Sequence, residues 1–156
     1  MRYKLNRLKI LLVDDDSSMR FLVRDILLAF GVGDVQVSPD GDEAFWKFCR
    51  YETDIVIADW QMTPVSGLDL LKRIRSDPVS PNPRVPVIIL TAHADPERVI
   101  ECRNAGATSV LAKPIAPETL YRRIAWTIEG SSFLFPGIHG DRASDIWYID
   151  QHQSPA

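Results

Sequence analysis

The chain has 156 residues, of which 46% are hydrophobic and 25% charged, which is typical of one globular domain with a real core. Its formal net charge of −3, with no basic run, argues against nucleic acid and anionic membranes as partners. No apolar run is long enough to span a bilayer and the first residues lack a signal-peptide core, so we expect a soluble cytoplasmic protein. Cys49 and Cys102 lie far apart and predict reduced thiols rather than a disulfide or a metal site.

The first third of the chain predicts alternating strands and helices. Residues 8–13 form a short apolar run typical of a buried strand, and a helical stripe of apolar side chains follows and closes at Gly31. Residues 34–38 predict a second strand. After a turn at 39–41, apolar side chains within 44–49 predict one face of a second helix.

The alternation continues through the middle of the chain. Residues 54–58 predict a third strand that runs up to Asp59, and a helix is expected after Gly67. Residues 76–84 contain three prolines and therefore predict a loop. Residues 85–90 predict a fourth strand.

The last predicted helices have clear boundaries. Asp95-Pro96-Glu97 is a strong helix start, and that helix is expected to end at Gly106. Residues 109–112 predict a fifth strand, and a final helix runs from Pro117 to near Gly130. Five alternations of strand and helix indicate an α/β fold, a parallel sheet with helices on both faces, in a domain over 8–130.

Residues 131–156 form a C-terminal extension outside this pattern. It contains large apolar side chains, which usually pack against a protein surface. They are Phe133, Phe135, Trp147 and Tyr148. Two interpretations stay open: the extension packs on its own domain, or it binds a partner or a second copy of the chain.

Side chains that can take part in chemistry lie at or just after the ends of four of the five predicted strands. They are Asp14, Asp15 and Asp16 after the first strand, Asp59 after the third, Thr91 at the end of the fourth and Lys113 after the fifth. Ligands bind at the carboxyl ends of strands in open parallel sheets, so these side chains are expected at one edge. Carboxylates suit Mg²⁺, a lone carboxylate can attack a phosphoryl group, and a lysine can neutralise the transferring oxygens.

The order of these residues resembles the receiver domain of two-component response regulators. The matching motifs are VDD at 13–15, Asp59 followed eight residues later by Gly67, LTA at 90–92, AGA at 105–107 and KP at 113–114. The resemblance spans residues 8 to about 129. It implies a flavodoxin-like, doubly wound sheet with strand order 2-1-3-4-5.

The resemblance also implies a role for each site residue. Asp59 would accept a phosphoryl group from a histidine kinase or phosphotransfer protein, with Thr91 and Lys113 contacting that group. Mg²⁺ would be held by Asp15, Asp59, the backbone carbonyl of Gln61 and, largely through water, Asp14. Gln61 and His93 would tune dephosphorylation, and the Lys113-Pro114 bond is expected to be cis.

Three positions depart from the family pattern. Val110 stands where a switching Tyr or Phe is usual, which puts the usual output coupling in doubt. Proline comes one place late in Met62-Thr63-Pro64, so the loop is expected to have a different shape. Ala116 is a poor cap before Pro117. Because 26 residues cannot build an output domain, we expect a stand-alone receiver that docks on an unknown downstream protein or relays phosphoryl groups.

Two other functions fit parts of this pattern. Haloacid-dehalogenase-type phosphatases have a similar residue order, with Asp14 as nucleophile and Asp16 as general acid, and the pattern Gly140-Asp141-x-x-x-Asp145 follows in the right place. That scheme leaves Asp59 without a role, and a helix beginning near Met19 leaves little room for the flap of those enzymes. An interaction module independent of phosphorylation would leave the acidic set unexplained. In the receiver interpretation Asp16 caps the first helix.

Overall fold

A computed structural model describes residues 5–129, in which five strands alternate with five helices. The strands are β1 (Lys9–Val13), β2 (Asp34–Ser38), β3 (Ile55–Asp59), β4 (Val87–Thr91) and β5 (Ser109–Ala112). The helices are α1 (Ser17–Ala29), α2 (Gly41–Arg50), α3 (Gly67–Ser76), α4 (Pro96–Asn104) and α5 (Pro117–Glu129). The predictions on the C-terminal extension and on the pattern at 140–145 lie outside the described residues.

All five strands are parallel and lie in the order β2-β1-β3-β4-β5. This confirms the predicted doubly wound fold. Strands β3 and β4 are buried along their whole length, as strands covered on both faces should be. Within residues 5–129 no helix is long and apolar enough to cross a membrane.

Two hydrophobic clusters occupy the two faces of the sheet. Helices α2, α3 and α4 cover one face, where Phe45, Leu71 and Cys102 are fully buried. Helices α1 and α5 cover the other face through side chains such as Leu27 and Ile124. Both cysteines are free thiols, as predicted.

Several strand ends differ from the predictions by one or two residues, and two of the element boundaries that differ have a clear physical cause. Strand β4 begins at Val87 rather than at residue 85, because Pro86 has no N–H to donate and Val85 donates its own to the Asn82 carbonyl at 3.2 Å. Helix α2 begins at Gly41, a residue assigned to the preceding turn, because the Asp40 side chain accepts from the Glu43 N–H and caps the helix.

Two prolines follow cis peptide bonds in the described chain. The Lys113-Pro114 bond is cis, as the resemblance implied. The Thr63-Pro64 bond is also cis, in the loop whose late proline led us to expect a different shape.

Candidate functional site

Backbone hydrogen bonds bring the ends of four strands to one edge of the sheet. The Asp14 N–H donates to the Ser38 carbonyl at 3.2 Å, which holds Asp14 beside the end of β2. Asp59 and Thr91 are the last residues of their strands, and the Lys113 N–H donates to the Thr91 carbonyl at 2.7 Å. The predicted side chains therefore do begin at one edge.

Three carboxylates converge at this edge. Asp14, Asp15 and Asp59 each offer an oxygen, and these three atoms lie within 4.8 Å of one another. Asp14 and Asp59 are only 1% and 6% exposed, whereas Asp15 is exposed. We call these three residues the acid cluster. Carboxylates this close repel one another, and the burial of two of them strengthens the repulsion. A cation between them would offset it.

Lys113 supplies one cation to the acid cluster. Its Nζ lies 2.9 Å from Asp59 Oδ1 and 3.5 Å from Asp14 Oδ2. Burial lowers the pKa of Lys113, but the hydrogen bond to Asp59 and the negative charges of Asp14 and Asp59 more than offset this and leave the pKa above its ordinary value. Lys113 is therefore an ammonium at neutral pH.

Asp59 is held in an unfavourable state for a carboxylate. Burial raises its pKa most, Lys113 lowers it, and the charges of Asp14 and Asp15 raise it further. The net result is a pKa above the ordinary value. One ammonium thus does not compensate for three clustered carboxylates and the loss of water.

The residues of the acid cluster fit a divalent cation. Asp14 Oδ1 accepts from the Asp16 N–H at 2.9 Å, while Asp14 Oδ2 is buried and makes no hydrogen bond within the described residues. A buried carboxylate oxygen without a hydrogen bond is costly, and a hard cation would satisfy it. The donor set, carboxylate oxygens only, is the kind that Mg²⁺ prefers.

Asp16 is separate from the acid cluster. Its Oδ1 accepts from the N–H groups of Ser18 and Met19, at 2.9 and 3.3 Å, at the start of α1. This confirms the predicted helix cap. Of the three adjacent aspartates, Asp14 and Asp15 therefore belong to the acid cluster, and Asp16 caps α1.

Of the remaining predicted residues, Thr91 ends β4, Gln61 and His93 lie in the loops after β3 and β4, and Val110 lies within β5. Thr91 is 1% exposed, and its Oγ1 accepts from the His93 N–H at 3.1 Å. His93 and Gln61 are both exposed, in the loops that follow Thr91 and Asp59. Val110 is buried in β5, opposite Ile89 of β4.

Two supporting contacts were missed by the sequence analysis. The Arg20 guanidinium of α1 donates to the Asp14 carbonyl at 2.7 Å and so fixes the backbone of that residue. A Cβ on Gly67 would lie 2.2 Å from the Asp59 carbonyl oxygen, so only glycine lets α3 approach the end of β3. The Gly67 spacing was noticed as a motif, but nothing in the pattern around Arg20 indicated its reach.

A family model for the response regulator receiver domain matches residues 10–125. The chain belongs to this family. Among curated relatives, this receiver domain is similar to chemotaxis protein CheY-3 of Vibrio cholerae, with 37% identity over 75% of this chain and 88% of that protein. It is also similar to chemotaxis protein CheY1 of Helicobacter pylori, with 35% identity over 75% of this chain and 94% of that protein.

Solved structures show the same architecture. The receiver domain matches Vibrio cholerae CheY4 with a TM-score of 0.70 and 32% identity, over 77% of this chain and 98% of that one. A receiver domain from Clostridium thermocellum matches with a TM-score of 0.72 and 30% identity, over 83% of this chain and 100% of that one. The family match favours the receiver interpretation over the phosphatase alternative.

Proposed function

We propose that this receiver domain accepts a phosphoryl group on Asp59 from a phosphohistidine of a histidine kinase or phosphotransfer protein. One observation carries the proposal: the buried Asp59 carboxylate lies in contact with the Lys113 ammonium and within the acid cluster, at the carboxyl edge of the sheet. A structural ion pair would need one carboxylate. Three clustered carboxylates, two of which lie 2.9 and 3.5 Å from one ammonium, are an arrangement that a second cation and a phosphoryl group would complete.

Asp59 acts as the nucleophile in the proposed reaction. Its carboxylate oxygen forms a bond to phosphorus while the phosphorus–nitrogen bond of the donor breaks, and the released imidazole nitrogen keeps the electron pair and takes up a proton. Lys113, already 2.9 Å from Asp59, neutralises charge on the phosphoryl oxygens. The buried Thr91 hydroxyl donates to the bound phosphoryl group.

Asp14, Asp15 and Asp59 would hold Mg²⁺, together with the backbone carbonyl of Gln61. When bound, the metal supplies charge neutralisation at the transferring oxygens. Asp14 is the ligand best prepared by the protein, because Arg20 and the Asp16 N–H fix its backbone and its Oδ1. Its Oδ2 is left free of hydrogen bonds from the described residues.

The test uses a small acyl-phosphate donor with radioactive phosphorus and Mg²⁺. The wild type is expected to incorporate label, and Asp59→Asn is expected to lose it. Asp25→Asn is the matched control, since Asp25 is an exposed aspartate of α1, and it is expected to label like the wild type. Label retained by Asp59→Asn would overturn the proposal, as would hydrolysis of a phosphomonoester by that variant.

Gln61 and His93 set the lifetime of the phosphoryl group in this proposal. Both side chains are exposed beside the site, so they can contact the water that attacks the acyl phosphate. His93→Ala is expected to change the rate at which label is lost after the donor is removed. An unchanged rate would assign His93 no part in dephosphorylation.

We further propose that the phosphorylated domain, taken as residues 8–130, signals by binding a downstream protein or by relaying the group onward. The similarity to chemotaxis proteins of Vibrio cholerae and Helicobacter pylori supports this class of output. A pull-down that compares phosphorylated wild type with Asp59→Asn tests it. Partner capture that is equal for the two proteins would contradict phosphorylation-dependent binding.

A further inference from the structure

The residue after the proposed phosphoacceptor contacts the helix that follows β4. The Arg98 guanidinium carbon lies 5.4 Å from the centre of the Trp60 ring. Trp60 directly follows Asp59, and Arg98 lies in the first turn of α4. The contact therefore joins the loop that carries Gln61 to an element that contributes no residue to the acid cluster.

Trp60 is fixed at its backbone on both sides. Its N–H donates to the Leu90 carbonyl at 2.8 Å, and its carbonyl accepts from the Gly67 N–H at 3.0 Å. The ring is partly buried and packs against the hydrophobic cluster on the α2–α4 face. Because the Trp60 ring packs against this cluster, a displacement of the ring would act on the backbone that Trp60 shares with the adjacent Asp59 and Gln61.

Arg98 is prepared for a cation–π contact. Asp95 caps α4 by accepting from the Arg98 N–H at 3.0 Å, and its Oδ2 lies 3.8 Å from Arg98 Nε. Arg98 Nη1 is buried and has no hydrogen-bond partner among residues 5–129. A buried N–H without an oxygen partner is costly, and the negative face of an indole ring offers partial compensation.

We propose that the Trp60–Arg98 contact positions the phosphoacceptor loop and couples occupation of the acid cluster to α4. This inference rests on the proposed function. Buried Val110 of β5 is aliphatic, so no ring is present there to change its rotamer. Trp60 and Arg98 provide a different link, from Asp59 to α4, through a contact that holds the loop in the position that favours metal binding.

The coupling must act in both directions. If metal or phosphoryl binding changes the position of Trp60, then a change at Arg98 must alter the affinity of the acid cluster for its ligands by the same factor. Arg98 touches neither the acid cluster nor Lys113 in any recorded hydrogen bond or ion pair of the described chain. If Arg98 acts on metal binding through Trp60, removal of the Trp60 ring must abolish that effect.

The test measures Mg²⁺ binding by calorimetry in the 156-residue chain. Arg98→Ala is expected to weaken Mg²⁺ binding about threefold, the size of a half-exposed cation–π contact. Arg98→Lys, which keeps a cation, is expected to restore most of the affinity, whereas Arg98→Gln is not. Arg103→Ala, an exposed arginine of the same helix, is the control and is expected to bind like the wild type.

A double-mutant cycle separates coupling from general destabilisation. In a Trp60→Leu background, Arg98→Ala is expected to have no further effect on the Mg²⁺ dissociation constant. The contribution of Trp60 to the fluorescence change on adding Mg²⁺ is obtained by subtracting the change measured in Trp60→Phe. This contribution is expected to be smaller in Arg98→Gln than in the wild type. Should Arg98→Ala fail to fold, the comparison of Arg98→Lys with Arg98→Gln decides the question.

The outcomes distinguish this inference from the proposed function. A wild type that binds Mg²⁺ and labels at Asp59, with Arg98→Lys and Arg98→Gln of equal affinity, overturns the coupling alone. Equal effects of Arg98→Ala in the wild-type and Trp60→Leu backgrounds also overturn it. A wild type that neither binds Mg²⁺ nor takes label overturns both.

Discussion

Folding buries the Asp59 carboxylate, and in the metal-free protein Lys113 is the cation in contact with it. Burial raises its pKa, and the Lys113 ammonium only partly offsets this, while Asp14 and Asp15 add repulsion. The acid cluster thus destabilises the metal-free protein at neutral pH. Clustered carboxylates of this kind lower the stability of the metal-free fold and at the same time favour the binding of a cation.

Replacing Asp59 with Asn is expected to raise the melting temperature in EDTA at pH 7. The sign follows from the raised pKa: the wild type loses stability as the pH rises from the ordinary value of 3.8 through the folded-state pKa. The advantage of Asp59→Asn should therefore vanish below that window. Scanning calorimetry at several pH values measures it, with Asp25→Asn as the control.

Adding Mg²⁺ should reverse the order of the two proteins. Metal binding stabilises only the folded wild type, so its melting temperature is expected to rise with Mg²⁺ concentration while that of Asp59→Asn changes little. An Asp59→Asn protein no more stable than the wild type in EDTA would contradict the electrostatic account of the acid cluster.

The candidate site residues could be predicted from the sequence because they lie at, or within a few residues after, the end of an apolar strand. Their chemical roles came from the order of the motifs. Arg20 could not be predicted, because its contact with the Asp14 carbonyl depends on the length and rotamer of a side chain on a neighbouring element. That Asp14 Oδ2 lacks a hydrogen bond, although Lys113 Nζ lies 3.5 Å away, likewise emerges only once the surrounding donors are placed.

At the scale of elements, the start of α1 joins the fold to the site. Asp16→Ala is expected to lower the free energy of unfolding by about 1 kcal/mol, because it removes the acceptor for two helix N–H groups. Its Mg²⁺ affinity should stay close to that of the wild type. Chemical denaturation and calorimetry measure the two quantities.

Asp15→Ala is the matched opposite case. Asp15 is exposed and lies in the acid cluster, so its removal is expected to abolish Mg²⁺ binding with little loss of stability. If Asp16→Ala abolished metal binding and Asp15→Ala preserved it, the division of the three aspartates would be wrong, and the phosphatase interpretation would regain support.

Arg75 of α3 joins the helix to two segments distant in sequence. Its guanidinium donates to the Gly106 carbonyl through Nε and Nη2, at 3.1 and 2.8 Å, and through Nη1 to the carbonyls of Pro83 and Val85. Gly106 has a φ of +97°, and a Cβ there would lie 3.0 Å from Arg75 Nε. The arginine thus anchors both the proline-rich loop and the chain before β5.

Arg75→Met is expected to cost about 2 kcal/mol of unfolding free energy, because partly buried carbonyls lose charge-assisted donors while the apolar stem is kept. Urea denaturation measures the loss. Lys72→Met, an exposed change on the same helix, is the control and should be close to neutral. Equal stability of the two variants would refute the anchoring role of Arg75.

The types of the elements were predictable, and their ends were less so. The apolar run at 85–90 gives no sign that a missing N–H at Pro86 delays the start of β4. Asp40 reads equally well as a turn residue and as a helix cap, and the structure shows the cap. Both differences come from single hydrogen bonds that the hydrophobic pattern does not record.

At the scale of the whole molecule, five strand–helix alternations predict a parallel sheet but not the order of its strands. The order β2-β1-β3-β4-β5 came from the family resemblance, and the pairing of the strands confirms it. This order brings β1 between β2 and β3, so the acidic residues after β1 lie next to Asp59. The topology therefore assembles the acid cluster from residues more than forty positions apart.

The central claim is that the phosphoryl group bonds to Asp59, and chemical trapping tests it most directly. After phosphorylation by a small acyl-phosphate donor with Mg²⁺, borohydride reduces an aspartyl phosphate to the alcohol, releases phosphate and leaves homoserine, which peptide mass spectrometry locates. Peptide mass spectrometry is expected to locate homoserine at position 59 in the wild type and none there in Asp59→Asn. Homoserine at position 14, or none at position 59 in labelled protein, would contradict the central claim.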